Sequence, residues 1–119
     1  MNSMLKRTNE SSDNWVLTDA AGNILDVSVG AAELLNVSRM HLRRRSLLMF
    51  FNADRPEWNR LLRLAAQGHN VERAGSMRPR DRRPQAVYVE LTEVQNHPAM
   101  KAFEWRLSRR ELQPLRTAG

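Results

Sequence analysis

The chain has no cysteine among its 119 residues, which excludes disulfides, thiolate nucleophiles and the Cys-based structural zinc site. Its three histidines, His41, His69 and His97, give neither an i, i+4 helical pair nor any compact metal spacing. Ser28, Ser38 and Ser46 have no G-x-S-x-G context, and Gly22, Gly30, Gly68 and Gly75 form no phosphate-cradling loop. The acidic residues are scattered and read as caps, turn residues or solvent-facing strand positions. Together these absences argue against an enzyme. No apolar run approaches the roughly 20 residues of a membrane-spanning helix, and the N-terminal MNSMLKRTNESSDN lacks the apolar centre of a signal peptide. A cytoplasmic location with no membrane partner is the default expectation.

What is present is one domain's worth of chain with 41% hydrophobic residues, enough for a modest single core. The net charge of +6 is unevenly placed. Residues 39–83 hold twelve basic residues, all Arg, against four acidic ones, while residues 1–38 are net acidic. Contact with nucleic acid through Arg43, Arg44, Arg45, Arg80, Arg82 and Arg83 is one reading of that excess. The preferred reading is a solvated surface, because no aromatic residues interleave with the Arg runs as a stacking platform.

The most informative stretch is WVLTDAAGNILDVSVGAAELL, residues 15–35. Trp15–Thr18 and Ile24–Val27 are short β-prone runs separated by a turn containing Asp19 and Gly22, which predicts a hairpin. A short helix should follow, with Ala31, Leu34 and Leu35 on one face and Asn36 at its left-handed end. Ser38 is a good cap for a second short helical piece. Leu47–Phe51 is a dense apolar run, and from Trp58 the residues Leu61, Leu62, Ala65 and Ala66 recur at helical spacing until Gly68. Three strands are then expected: Val71–Met77, Gln85–Val94 and Ala102–Leu107. In the second of them Val87, Val89 and Leu91 alternate with Tyr88, Glu90 and Thr92; in the third, Phe103, Trp105 and Leu107 alternate with Glu104 and Arg106.

The motif Asp19-x-x-Gly22-x-Ile24 followed by Ala31-Ala32-x-Leu34-Leu35, with this order of elements, resembles the PAS domain, a small sensor module. The resemblance covers about residues 14–106, with residues 1–13 as a polar tail. It implies an α+β fold with a five-stranded antiparallel sheet and helices packed on one face. It also implies that the helix Glu57–Gln67 lies across the sheet and lines a ligand cavity, for which Trp58, Leu61, Leu62, Val87 and Val89 are the candidate residues. Haem-binding relatives usually ligate iron from this helix, which here has no His, His69 being the nearest; the covalent flavin chemistry of light-sensing relatives needs a Cys. A cofactor is therefore not expected, and its identity, if any, is unknown from sequence; a small-molecule ligand is the candidate partner of the cavity.

Residues 107–119 resemble the opening of a LuxR-type helix-turn-helix domain through Leu107, Ser108, Arg110, Glu111 and Leu115, although Pro114 stands where that family has a helix former. A linker helix to another effector domain is the equal alternative. DNA contact would then come through a helix-turn-helix that the chain does not contain. The functional expectation is a sensory or signal-relay module of a transcriptional or two-component regulator, acting by population shift and dimerisation, with a cofactor-free interaction domain as an alternative. A homodimer through the outer sheet face is expected, with Tyr88 and Trp105 as interface candidates; the face taken by Trp105 depends on the register of the last strand.

Overall fold

The computed structural model describes residues 14–94 and 101–109, apart from the side chains of residues 52–54. Five strands form one antiparallel sheet: β1 (Trp15–Thr18), β2 (Ile24–Val27), β3 (Val71–Met77), β4 (Gln85–Val94) and β5 (Ala102–Arg109). Their order across the sheet is β2-β1-β5-β4-β3. Between β2 and β3 lie the helices α1 (Val29–Leu35) and α2 (Arg39–Leu42), a 3-10 segment (Leu47–Asp54) and the helix α3 (Arg55–Ala66). This is the expected α+β, PAS-like arrangement, with β1 to β4 at the predicted bounds. No helix among the described residues is long and apolar enough to cross a membrane.

Local chemistry fixes the first half. Asp19 Oδ1 accepts from the backbone N–H of Ala21 and of Asn23, both at 2.9 Å, which closes the β1–β2 turn. Gly22 has φ +91 and sits against Leu48, whose Cγ would be 3.1 Å from an added Cβ. A side chain there would meet both the left-handed backbone penalty and the 3-10 segment. Ser28 caps α1 by accepting from Ala31 N–H at 3.1 Å, and the same hydroxyl accepts from Trp15 N–H at 3.0 Å. The cap thereby ties α1 to β1. Asn36 ends α1 at φ 63, as its position in the sequence predicts.

The free edge of β2 is covered by the chain that follows α2. Ile24 N–H donates to Arg45 O (2.8 Å), Arg44 N–H to Ile24 O (2.9 Å) and Leu47 N–H to Gly22 O (2.8 Å). Leu47, Leu48, Phe50 and Phe51 are buried while Met49 is 46% exposed. The chain kinks at Phe51 (φ −117, ψ 39) before α3 begins. The helix starts two residues earlier than expected because Pro56 fits its first turn, where no intrahelical N–H is needed. Trp58, Leu61, Leu62 and Ala65 form its buried stripe.

The last strand is longer than expected. β5 runs to Arg109 and pairs Ser108 with Tyr88 and Arg109 with Val87. The predicted boundary after residue 106 therefore falls inside a strand, and Ser108 is a sheet residue rather than a helix cap. Glu111, Pro114 and the rest of the helix-turn-helix resemblance lie outside the described residues, as does His97.

Candidate functional site

The candidate cavity residues meet where α3 crosses the sheet. Trp58, Val87 and Val89 are fully buried, and Leu61 and Leu62 nearly so. They belong to one close-packed cluster with Phe51, Phe103, Trp105 and Leu107. Trp58 fills the centre of the contact. Its ring centroid is 4.8 Å from that of Phe51 and 5.8 Å from that of Trp105, both tilted. Such aromatic pairs contribute about 0.5–1.5 kcal/mol beyond the area they bury.

The strand beneath makes room for this indole. A Cβ at Gly75 in β3 would lie 2.8 Å from Trp58 Cζ2, closer than a real side chain tolerates. An isolated glycine inside a strand signals close approach of another group, and Gly75 carries that signal in the sequence. Glu57, one residue before Trp58, anchors the same turn of α3. Its carboxylate accepts from Arg60 Nη2 and from Arg73 Nη1 of β3, each at 2.6 Å. The hydrogen bond from Arg60 holds the Glu57 carboxyl below its ordinary pKa, partial burial opposes this, and the charges of Arg60 and Arg73 add to the lowering.

Two buried indoles in this core differ in one respect. Trp105 Nε1–H donates to Thr18 Oγ1 at 2.8 Å, and the Thr18 hydroxyl donates onward to Asp19 O at 3.0 Å. Trp58 Nε1–H is buried with no acceptor among the described residues. A buried donor left unpaired costs about 1–3 kcal/mol, so the closed packing around Trp58 carries a polar cost that the packing around Trp105 does not.

The register of β5 decides the face of Trp105. It pairs with Val16 of β1 and Leu91 of β4, both fully buried, and it is itself fully buried. Trp105 is therefore a core residue on the helix-covered face and not part of an outer interface; its indole is too large and too well paired to leave that site. Tyr88 does lie on the outer face, half-buried, between Ala74 and Ser108, with its hydroxyl donating to Glu72 Oε1 at 2.6 Å. Trp15, paired with Arg106, and Leu17, paired with Glu104, also stand on that face and are half-buried. Sequence reading passed over Trp15 because its side of the sheet follows only from pairing with β5.

The residues present do not fit an iron-bound haem or a covalent flavin. His69 is exposed just past α3, and His41 is exposed with its Nδ1 2.6 Å from Ser38 Oγ. The chain has no Cys to form a flavin adduct. No group of three or more His, Cys, Asp or Glu able to hold a metal occurs among the described residues.

No protein-family model matches the chain, and no curated protein matches it. Solved structures do match its fold. The PAS domain of an HTR-like protein from Haloarcula marismortui superposes with a TM-score of 0.73 at 20% identity, covering 85% of this chain and 89% of that one. A domain of a sensory box sensor histidine kinase/response regulator from Geobacter sulfurreducens gives 0.68 at 16% identity, with 85% of each chain covered. The LOV domain of the blue-light photoreceptor Aureochrome1, in its light state, gives 0.73 at 15% identity over 92% of this chain and 90% of that one.

Proposed function

The chain has the fold of PAS domains, and we propose that it is a non-enzymatic, cytoplasmic sensory or signal-relay module of a transcriptional or two-component regulator. Its input is a small-molecule ligand or a partner that changes how α3 packs on the sheet. The observation that carries this reading is the buried, unpaired Nε1–H of Trp58 at the centre of that contact. A packing with an unmet donor is one that an acceptor-bearing ligand, or a shift of α3, relieves. Close-packed cores rearrange between discrete states rather than deforming smoothly, so a small change there is a switch element.

The output path runs through β5. Trp58 stacks on Trp105, and β5 continues from Trp105 to Arg109, beyond which the chain leads toward an effector domain. The LuxR-type resemblance after β5 favours a helix-turn-helix as that effector, which is where DNA contact would reside. Self-association through the outer sheet face, with Tyr88 in the interface, completes the reading. Trp15 and Leu17 support it as half-buried apolar residues on the same face. No resident cofactor is proposed.

Native mass spectrometry of the protein as purified tests ligand and assembly together. The expected result is a dimer, with any interior ligand visible as added mass. A monomer carrying no added mass at micromolar concentration would overturn the proposal.

A further inference from the structure

The Arg-rich stretch that reads as a solvated surface in the sequence is folded into a concavity. It lies outside the core, between the end of α1, the 3-10 segment and the β3–β4 hairpin, and encloses about 860 Å³. Five guanidinium side chains line it: Arg45, Arg78, Arg80, Arg82 and Arg83. Its apolar surface comes from Val37, Met49 and Phe50. The volume is within the range of small-ligand sites, roughly 300–1,000 Å³.

The positive charge of this concavity is nearly uncompensated. Arg80 has Asp81 3.8 Å from its Nε, but that carboxylate is 85% exposed and meets solvent. Arg45, Arg78, Arg82 and Arg83 have no acidic partner among the described residues. A concave wall of one sign concentrates counter-ions, and the planar guanidinium fork matches phosphate oxygens two at a time.

The loop that bears these side chains is held in place by its backbone. Arg78 N–H donates to Phe50 O at 2.8 Å, and Arg80 N–H to Leu35 O at 3.0 Å. Asn36 Nδ2 donates to Arg80 O at 2.8 Å. The hairpin is thereby fixed to α1 and to the 3-10 segment, so part of the ordering cost of binding is already met. Met49, nearly half exposed, presents a flexible apolar side chain at the same place.

We propose that this concavity binds a small organic polyanion: a ligand with two or more phosphate groups, taken by the arginines, and an apolar or planar body that rests on Met49 and Phe50. A nucleotide di- or triphosphate has this chemistry. A nucleic-acid strand fits the observations less well. The run Arg43-Arg44-Arg45 is divided, with Arg43 directed to Asp26 of β2 (3.7 Å) and Arg45 to the concavity, so it offers no continuous track for a phosphate backbone. The inference is independent of the reading of the interior, because no residue of the α3–sheet contact lines this site.

The test is calorimetric titration of the full chain with ATP, inorganic tripolyphosphate and a short single-stranded oligonucleotide at about 0.15 M salt. Saturable ATP binding is expected, weakened at least about tenfold in Arg78→Ala/Arg83→Ala and unchanged in Arg63→Ala, an exposed control on α3. ATP should bind several-fold more tightly than tripolyphosphate, and Met49→Ser should narrow that gap. No saturable ATP binding, or binding untouched by the double substitution, overturns the site. Tripolyphosphate as tight as ATP overturns the role of the apolar floor. An oligonucleotide that binds more tightly than ATP overturns the small-ligand assignment in favour of nucleic acid.

Discussion

On β4, Val87, Val89 and Leu91 are fully buried beneath α3, while Tyr88 and Glu90 between them meet Glu72, Ser108 and Arg106 across the opposite face of the sheet. One strand thus serves two environments through simple alternation. The inner face is close-packed and aromatic, where a change of one methylene group is felt and rearrangement is all-or-none. The outer face mixes Trp15, Leu17 and Tyr88 with Glu72, Glu90, Glu104 and Arg106. Such a mixed face tolerates substitution and suits reversible association between copies. The contrast assigns sensing to the inside and assembly to the outside.

If that division is right, substitutions should separate by face. Trp105→Ala should have the largest effect, destabilising the fold by about 3–5 kcal/mol through cavity formation and loss of the contacts to Trp58 and Phe51. Chemical denaturation measures it, and a loss no larger than that of Glu90→Ala, expected within about 0.5 kcal/mol of wild type, would erase the distinction between the faces. Thr18→Val comes next. It removes the acceptor of the buried Trp105 Nε1–H and should cost about 1–3 kcal/mol. A neutral outcome would mean that an unpaired indole is cheap in this core, which would also weaken the reading of Trp58.

Tyr88→Glu should leave the monomer's fold intact, shifting its stability by about 0.5 kcal/mol or less, while weakening self-association by at least about tenfold. It replaces the hydroxyl that donates to Glu72 with a second carboxylate on the outer face. Sedimentation velocity decides this: a variant dimer as tight as wild type would remove Tyr88 from the interface.

The smallest effect is a pH dependence at the α3–β3 anchor. Glu57 has a lowered native pKa, chiefly because Arg60 donates to it. A group bound more tightly when ionised stabilises the fold above its unfolded value, near 4.5, and loses that contribution as pH falls through the lower native value. Melting temperature should therefore fall less steeply on acidification in Glu57→Gln than in wild type, and parallel curves would assign the acid sensitivity to other groups.

Much of the fold is legible in the sequence, because each element has its own pattern. The hairpin turn is written by Asp19 and Gly22, the end of α1 by Asn36, the buried stripe of α3 by Trp58, Leu61, Leu62 and Ala65, and β4 by strict alternation. What sequence could not supply depends on pairing over long separations. Ser108 with Glu111 has the spacing of a helix cap, yet pairing with Tyr88 draws Ser108 into the sheet. The face of Trp105 follows from its partners Val16 and Leu91, which a strand's own residues do not specify. Residues 78–83 have the composition of a solvated loop; only their bonds to Leu35, Asn36 and Phe50, far away in the chain, turn them into the wall of a concavity. The unpaired state of Trp58 Nε1 is likewise invisible until the residues around it are placed.

The central claim is that the α3–sheet contact is coupled to the end of β5. Amide hydrogen exchange of wild type and Gly75→Ala tests it directly, because the added methyl presses on Trp58 in β3 without touching β5. The account predicts changed protection at Trp105–Arg109, carried by the stacking of Trp58 on Trp105, in addition to changes in α3 and β3. Changes confined to α3 and β3, with β5 protected as in wild type, would contradict it.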